Sequence, residues 1–125
     1  MLADSSFFAT IPTKDLDRAR EFYGAVLGLT PVRDLGEEVV YRAGKTEFDV
    51  YPTQSAGTAQ HTLGTFIVED VRAAVDDLRT RGVTFEEYDF PGLTTEDGVA
   101  QVGPDKVAWF KDPDGNILAL TQENA

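Results

Sequence analysis

One plan is written twice along this chain, and a chain that repeats a strand–helix–strand plan is constrained to build two similar half-folds. "SFFATIPTKDLDRAREFYGAVLGL" opens with strand alternation: Phe7, Ala9 and Ile11 on one side, Phe8 and Thr10 on the other. Asp15 then stands where it can cap a helix. Leu16, Ala19, Phe22, Tyr23 and Val26 recur at helical spacing behind it, and Gly28 is the stop. "LGTFIVEDVRAAVDDLRTRGV" repeats the order, with a strand over 63–68 and a cap at Asp70. Val71, Ala74, Val75 and Leu78 form the inward helical face, and Gly82 closes it. Strand-like runs follow each helix, over 30–35, 38–42 and 46–51 in the first half and over 84–90, 106–111 and 116–122 in the second. Both halves read βαβββ. The fold class is α+β: modules of about 6–53 and 61–122 within a single domain of 125 residues. Each sheet presses one face on its helix, on the outside, and the other faces form a curved mixed sheet around a central trough.

The repeat is not exact. The caps Asp15 and Asp70 lie 55 residues apart, whereas Asp49 and Ala119, at matching places on the two last strands, lie 70 apart. The extra 15 residues fall around "FPGLTTEDGVAQVGPD", which reads as a long loop. Its Thr94, Thr95 and Glu96 are placed to cover the trough mouth. Two turns set register. Pro113 and Gly115 in "DPDGN" suit a three-residue hairpin loop with a bulge, which pairs Asp112 with Asn116 and sets Trp109 opposite Ala119; a four-residue loop would bring Phe110 there instead. "AGKT" suits a two-residue turn at Gly44-Lys45, which puts Val40 and Arg42 on the face of Asp49 and Glu47, with Arg42 and Glu47 as a cross-strand pair.

Charge excludes more than it selects. Twenty-two acidic against 11 basic residues give a net charge of −11, which repels nucleic-acid backbones and favours cationic ligands. No 18-residue apolar run exists to span a membrane. "MLADSSFFATIP" lacks the basic start and apolar stretch of a secretion signal, so a cytoplasmic location is the expectation. With no cysteine there is neither a thiolate nucleophile nor a thiolate metal site. No G-x-S-x-G or phosphate-cradling glycine loop occurs, and the single histidine, His61, has no recognisable serine partner. No catalytic residue is assigned.

"KDLDRAREFYGAVLGL", "VEDVRAAVDDLRTRGV" and "WFKDPDGNILAL", in this order and at these distances, resemble the vicinal oxygen chelate superfamily. That group includes glyoxalase I, extradiol dioxygenases, fosfomycin-resistance transferases and bleomycin-binding proteins. The resemblance covers nearly the whole chain and implies the fold; it does not imply one chemistry, because the fold serves isomerases, dioxygenases, transferases and binders. Members with a metal hold it with His, Glu or Gln at four places. In this sequence those places fall on Phe8, Asp49, Leu63 and Ala119. Three are apolar. A catalytic divalent ion needs about three protein ligands and an open position, so neither a metal nor any other cofactor is expected.

Strand parity gives the rest of the trough: Phe8 with Thr10, Asp49 with Tyr51, Leu63 with Thr65, and Trp109 beside Ala119. An aromatic and apolar lining with one carboxylate and a few hydroxyls suits an aromatic or cationic organic molecule. The expected function is therefore metal-free binding that sequesters a small molecule. Two alternatives stand beside it: a metal-dependent lyase, isomerase or dioxygenase with its ion displaced toward His61 and Asp49, and a non-catalytic dimeric interaction module. The resemblance, with the general frequency of two-fold dimers, implies a homodimer.

Overall fold

In the computed structural model, which describes residues 1–125, the chain forms two compact units, Met1–Ala56 and Gly57–Ala125. The first contains β1 (Thr10–Thr13), α1 (Leu16–Arg20), β2 (Thr30–Asp34), β3 (Val39–Ala43) and β4 (Thr46–Pro52). The second contains β5 (Thr62–Ile67), α2 (Val71–Thr80), β6 (Asp89–Phe90), β7 (Leu93–Thr94), β8 (Ala100–Val102), β9 (Asp105–Lys111) and β10 (Ile117–Gln122). Each unit carries its own four-stranded mixed sheet, in the order β1-β4-β3-β2 and β5-β10-β9-β8. The first and last strand of each run parallel and the rest are antiparallel. The architecture is α+β, the βαβββ plan twice, each unit with its own mixed sheet.

Both helices start on an aspartate. Asp15 Oδ1 accepts the Arg18 N–H at 3.1 Å and Asp70 Oδ1 the Ala73 N–H at 3.0 Å, each satisfying one of the donors a helix start leaves free. The first helix then widens into a π-helical segment over Glu21–Val26, where the Leu27 N–H reaches back to the Phe22 carbonyl at 2.8 Å. Tyr23, fully buried, packs against Tyr41 and Phe48 at centroid distances of 5.9 and 5.8 Å. Ile11, Val39 and Val50 complete that core. In the second unit α2 lies on β9 and β10. Val71 and Val75 are buried there, as are Ala108, Phe110, Leu118 and Leu120 on the strands. Each fully buried Val or Leu contributes about 1.5–3 kcal/mol.

Three expectations need correction. The first strand begins at Thr10, not at Phe7, which is 97% exposed. Its ladder to β4 ends where the Ala9 carbonyl accepts the Asp49 N–H. The run over 84–90 is not one strand. Phe85 bridges Phe110, the chain then leaves the sheet, and Asp89–Phe90 turns onto Leu93–Thr94 as a small hairpin. The outer edge of β9 is completed instead by β8, whose Ala100 pairs with Val107, from inside the stretch that reads as a loop. That stretch is also no free lid. Thr95 Oγ1 donates to Glu87 at 2.6 Å, and the Gly98 N–H donates to the same carboxylate at 2.8 Å. Asp97 is held by Arg79 at 2.9 Å and Arg72 at 3.3 Å, which fastens the segment to α2.

Candidate functional site

The helix-free face of each sheet carries the candidate residues, and register decides which of them meet. In the first unit Thr10, Asp49, Val40 and Arg33 form one rung across all four strands. Glu47 pairs with Arg42, whose guanidinium reaches its carboxylate at 2.9 Å across the Gly44-Lys45 turn. Tyr51, two residues beyond Asp49 on β4, is 38% exposed. In the second unit Thr65, Ala119 and Trp109 form the corresponding rung. Trp109, rather than Phe110, stands opposite Ala119 because Asp112 and Asn116 close the turn: the Asp112 N–H donates to the Asn116 carbonyl at 3.0 Å, and Gly115 N–H to the Asp112 carbonyl at 2.9 Å. Asp112 Oδ1 also accepts the backbone N–H groups of Asp114 and Asn116.

Two of the expected lining residues fall outside these rungs. Phe8 precedes β1 and is 49% exposed. Leu63 sits at a bulge: Ile117 pairs with Thr62 and Leu118 with Gly64, so Leu63 faces no partner on β10. His61 is exposed ahead of β5.

Two residues that sequence reasoning missed join the faces. Glu38 lies just before β3, on the side of Val40 and Asp49. A hydrogen bond to the Asp49 carboxylate, then desolvation, then the charge of Asp49 hold the Glu38 carboxyl above its ordinary range, while Arg33 pulls the other way. Asp49 itself is buried, and its Oδ1 has no hydrogen-bond partner. Glu38 and Tyr51, with Leu35, Glu37 and Pro52, line a cleft of ≈ 370 Å³. The signal was available: the turn that placed Val40 opposite Asp49 also places Glu38, two residues earlier, on the same face. In the second unit Tyr88 stands edge-on to Trp109, centroids 5.4 Å apart at 73°, and Phe90 lies 5.7 Å from Tyr88. Burial first, then the charge of Glu86, raises the Tyr88 hydroxyl pKa. No sequence signal marked Tyr88, because the strand expected around it does not exist.

A model of the Glyoxalase/Bleomycin resistance protein/Dioxygenase superfamily matches residues 7–120. The chain belongs to this superfamily. It is 30% identical to lactoylglutathione lyase GLX1 of Arabidopsis thaliana over 86% of this chain and 40% of that protein. It is 28% identical to a probable lactoylglutathione lyase of Vibrio parahaemolyticus, over 86% of this chain and 83% of the other. The chain thus spans well under half of the first relative and most of the second. Among solved structures, a bleomycin-binding protein complexed with bleomycin superposes with a TM-score of 0.72 at 18% identity, covering 95% of this chain and 98% of that one. At that identity the likeness is one of fold.

Membership in this vicinal oxygen chelate family raises the question of a metal, and the residues present do not fit one. Of the four places that carry ligands in metal-holding members, Asp49 alone bears a donor. Ala119 presents a methyl group beside the Trp109 ring, and Leu63 and Phe8 are hydrocarbon. Within neither unit do three or more His, Asp or Glu side chains converge. A single carboxylate is a weak seat for a transition metal.

Proposed function

We propose that this superfamily member is a metal-free binding protein that sequesters a small organic molecule, aromatic or cationic; on the first sheet Asp49 is the candidate acidic contact, and on the second sheet Trp109 is the candidate aromatic one. The observation that supports it is the rung Thr65–Ala119–Trp109. Where a metal ligand would stand in an enzyme of this family, the chain puts a buried methyl against an indole, which favours flat apolar groups over ions. The structural likeness to a bleomycin-binding protein agrees with this reading. We also take the working unit to be a homodimer, which sedimentation velocity checks as a species of twice the chain mass.

Trp109 is the only tryptophan, so its emission reports on its own surroundings. A screen of planar aromatics and organic amines against the intact chain is expected to find compounds that quench or shift it saturably. If every compound that binds by calorimetry leaves the emission unchanged, Trp109 has no part in the site.

A second reading has one finding in its favour: the curated relatives are named lactoylglutathione lyases. Such an activity would need a divalent ion held by donors other than the four aligned places. It predicts stoichiometric metal and lactoylglutathione lyase activity.

A further inference from the structure

Tyr88 stands against Trp109 although no strand of the sheet holds it there. Pairing with β9 stops at the Phe85–Phe110 bridge and the bond from the Glu86 N–H to the Trp109 carbonyl at 2.8 Å. Beyond that point Thr95 clasps Tyr88 through both backbone polar groups. The Tyr88 N–H donates to Thr95 Oγ1 at 2.8 Å, and the Tyr88 carbonyl accepts the Thr95 N–H at 2.9 Å. The Thr95 hydroxyl in turn donates to Glu87 Oε1 at 2.6 Å, and the Gly98 N–H reaches the same oxygen at 2.8 Å. Asp97 and Gly98 form the two-residue turn between Glu96 and Val99, both at positive φ, 51° and 86°. Glycine takes that conformation freely; aspartate does so at a cost. What keeps Asp97 there is α2: Arg79 meets its carboxylate at 2.9 Å and Arg72 its carbonyl at 2.8 Å. A continuous strap therefore runs from α2 through Asp97, Gly98, Glu87 and Thr95 to Tyr88, whose ring is set edge-on to Trp109, 5.4 Å away at 73°. Its links are unequal. The ion pairs to Asp97 are exposed and contribute little, whereas the short hydroxyl–carboxylate bond of Thr95 is charge-assisted and strong.

Resting on the small-molecule reading above, with Trp109 as the aromatic contact, we propose that Tyr88 is the second aromatic wall of that site and that Thr95 is its positioning residue. Tyr88 and Trp109 are both half-buried, so each ring keeps an open side. Two rings close to perpendicular make a corner. A flat aromatic ring fits it by facing one wall and giving its edge to the other, and both are favoured geometries for ring pairs. A puckered body of the same size gains neither. The site thereby selects flat aromatic rings over saturated ones, and does so only while the strap fixes the angle between its walls. Without the Thr95 clasp Tyr88 would sit on a segment with no sheet partner. Its ring would then sample many orientations, and a ligand would bind more weakly because it would have to order that ring itself.

The test uses the intact ¹⁵N-labelled chain, in which Trp109 gives the single indole N–H signal. Two probes share one skeleton: flat 2-naphthol and its saturated counterpart, decahydro-2-naphthol. The unaltered chain is expected to bind 2-naphthol at least about fivefold more tightly than the saturated form, with a saturable shift of the indole signal. Thr95→Val, which keeps shape and removes the hydroxyl, should erase most of that preference and move the indole signal of the free protein; Thr95→Ser should restore both. Tyr88→Leu should erase the preference as well, and adding Thr95→Val to it should change nothing further, because Thr95 acts through Tyr88. Asp97→Gly keeps the turn and releases the grip of α2, so it should lower the preference by about twofold. The amide spectrum shows whether each variant is folded, and Asp97→Gly decides the matter if Thr95→Val is not; an unchanged preference there overturns the link to α2. A folded Thr95→Val chain that is less stable yet keeps the preference overturns the positioning role and leaves the small-molecule reading standing. A further loss in the double variant overturns action through Tyr88. Equal binding of the two probes, or binding of neither, overturns the corner itself, while the wider reading is judged by the Trp109 screen.

Discussion

The two sheets place different chemistry on the same rung. Thr10, Asp49 and Val40 in the first unit correspond, strand for strand, to Thr65, Ala119 and Trp109 in the second. The threonine is kept. Acid becomes methyl, and a small aliphatic becomes a large ring. Strand order is the same in both units, because backbone pairing and the helix-facing core residues fix it and neither depends on what the opposite face displays. The helix-free faces were therefore free to diverge, one toward charge with Glu38, Arg42, Glu47 and Asp49, the other toward rings with Tyr88 and Trp109.

Swapping the two chemistries is the strongest way to break that contrast. Ala119→Asp would bury a carboxylate against Trp109 with no cationic partner on its rung, and urea titration is expected to show a loss of about 3 kcal/mol or more. The reverse change, Asp49→Ala, removes a buried carboxylate whose Oδ1 has no hydrogen-bond partner, and is expected to cost less, about 1 kcal/mol. Equal costs at the two places would mean that the faces are not as different as their residues.

A smaller difference separates the turns. Gly57, at φ 77°, lies so close to the Asp114 carbonyl that an added Cβ would come within 1.9 Å of its oxygen, and its N–H donates to Asn116 Oδ1 at 3.1 Å. Gly44, at φ 58°, has nothing within 4 Å of that position. Gly57→Ala is expected to cost about 2–3 kcal/mol and Gly44→Ala about 1 kcal/mol, since the second carries backbone strain alone. Thermal melts of the two variants decide it.

The smallest effect is in pH. Glu38 has a folded-state pKa above the ordinary value of 4.5, so between those two values the folded state holds more proton than the unfolded state. Its contribution therefore favours folding below that window and is lost as pH rises through it. Glu38→Gln should flatten that part of the stability profile. An unchanged profile would show that the Glu38 carboxyl is not held above its ordinary range.

Much of this was legible from residue patterns. The caps Asp15 and Asp70 declared both helices, and "DPDGN" and "AGKT" gave the register that sets Trp109 opposite Ala119 and Val40 opposite Asp49. The rest depended on partners that sequence does not display. Phe7 and Phe8 alternate as a strand does, yet the ladder stops at Ala9. Leu63 keeps strand parity, but a bulge takes it off its rung. The edge strand Ala100–Val102 hides between Gly98 and Gly103 in a stretch whose composition says loop, because a three-residue strand borrows its order from β9.

One measurement bears most directly on the difference between Asp49 and Ala119. Chelator-stripped protein is titrated calorimetrically with Ni²⁺, Mn²⁺, Fe²⁺ and Zn²⁺ at concentrations that resolve micromolar sites. The expected result is no stoichiometric binding of any of the four. One site per chain, abolished by Asp49→Ala or by replacing His61, would contradict the metal-free reading and return the protein to the lyases it is related to.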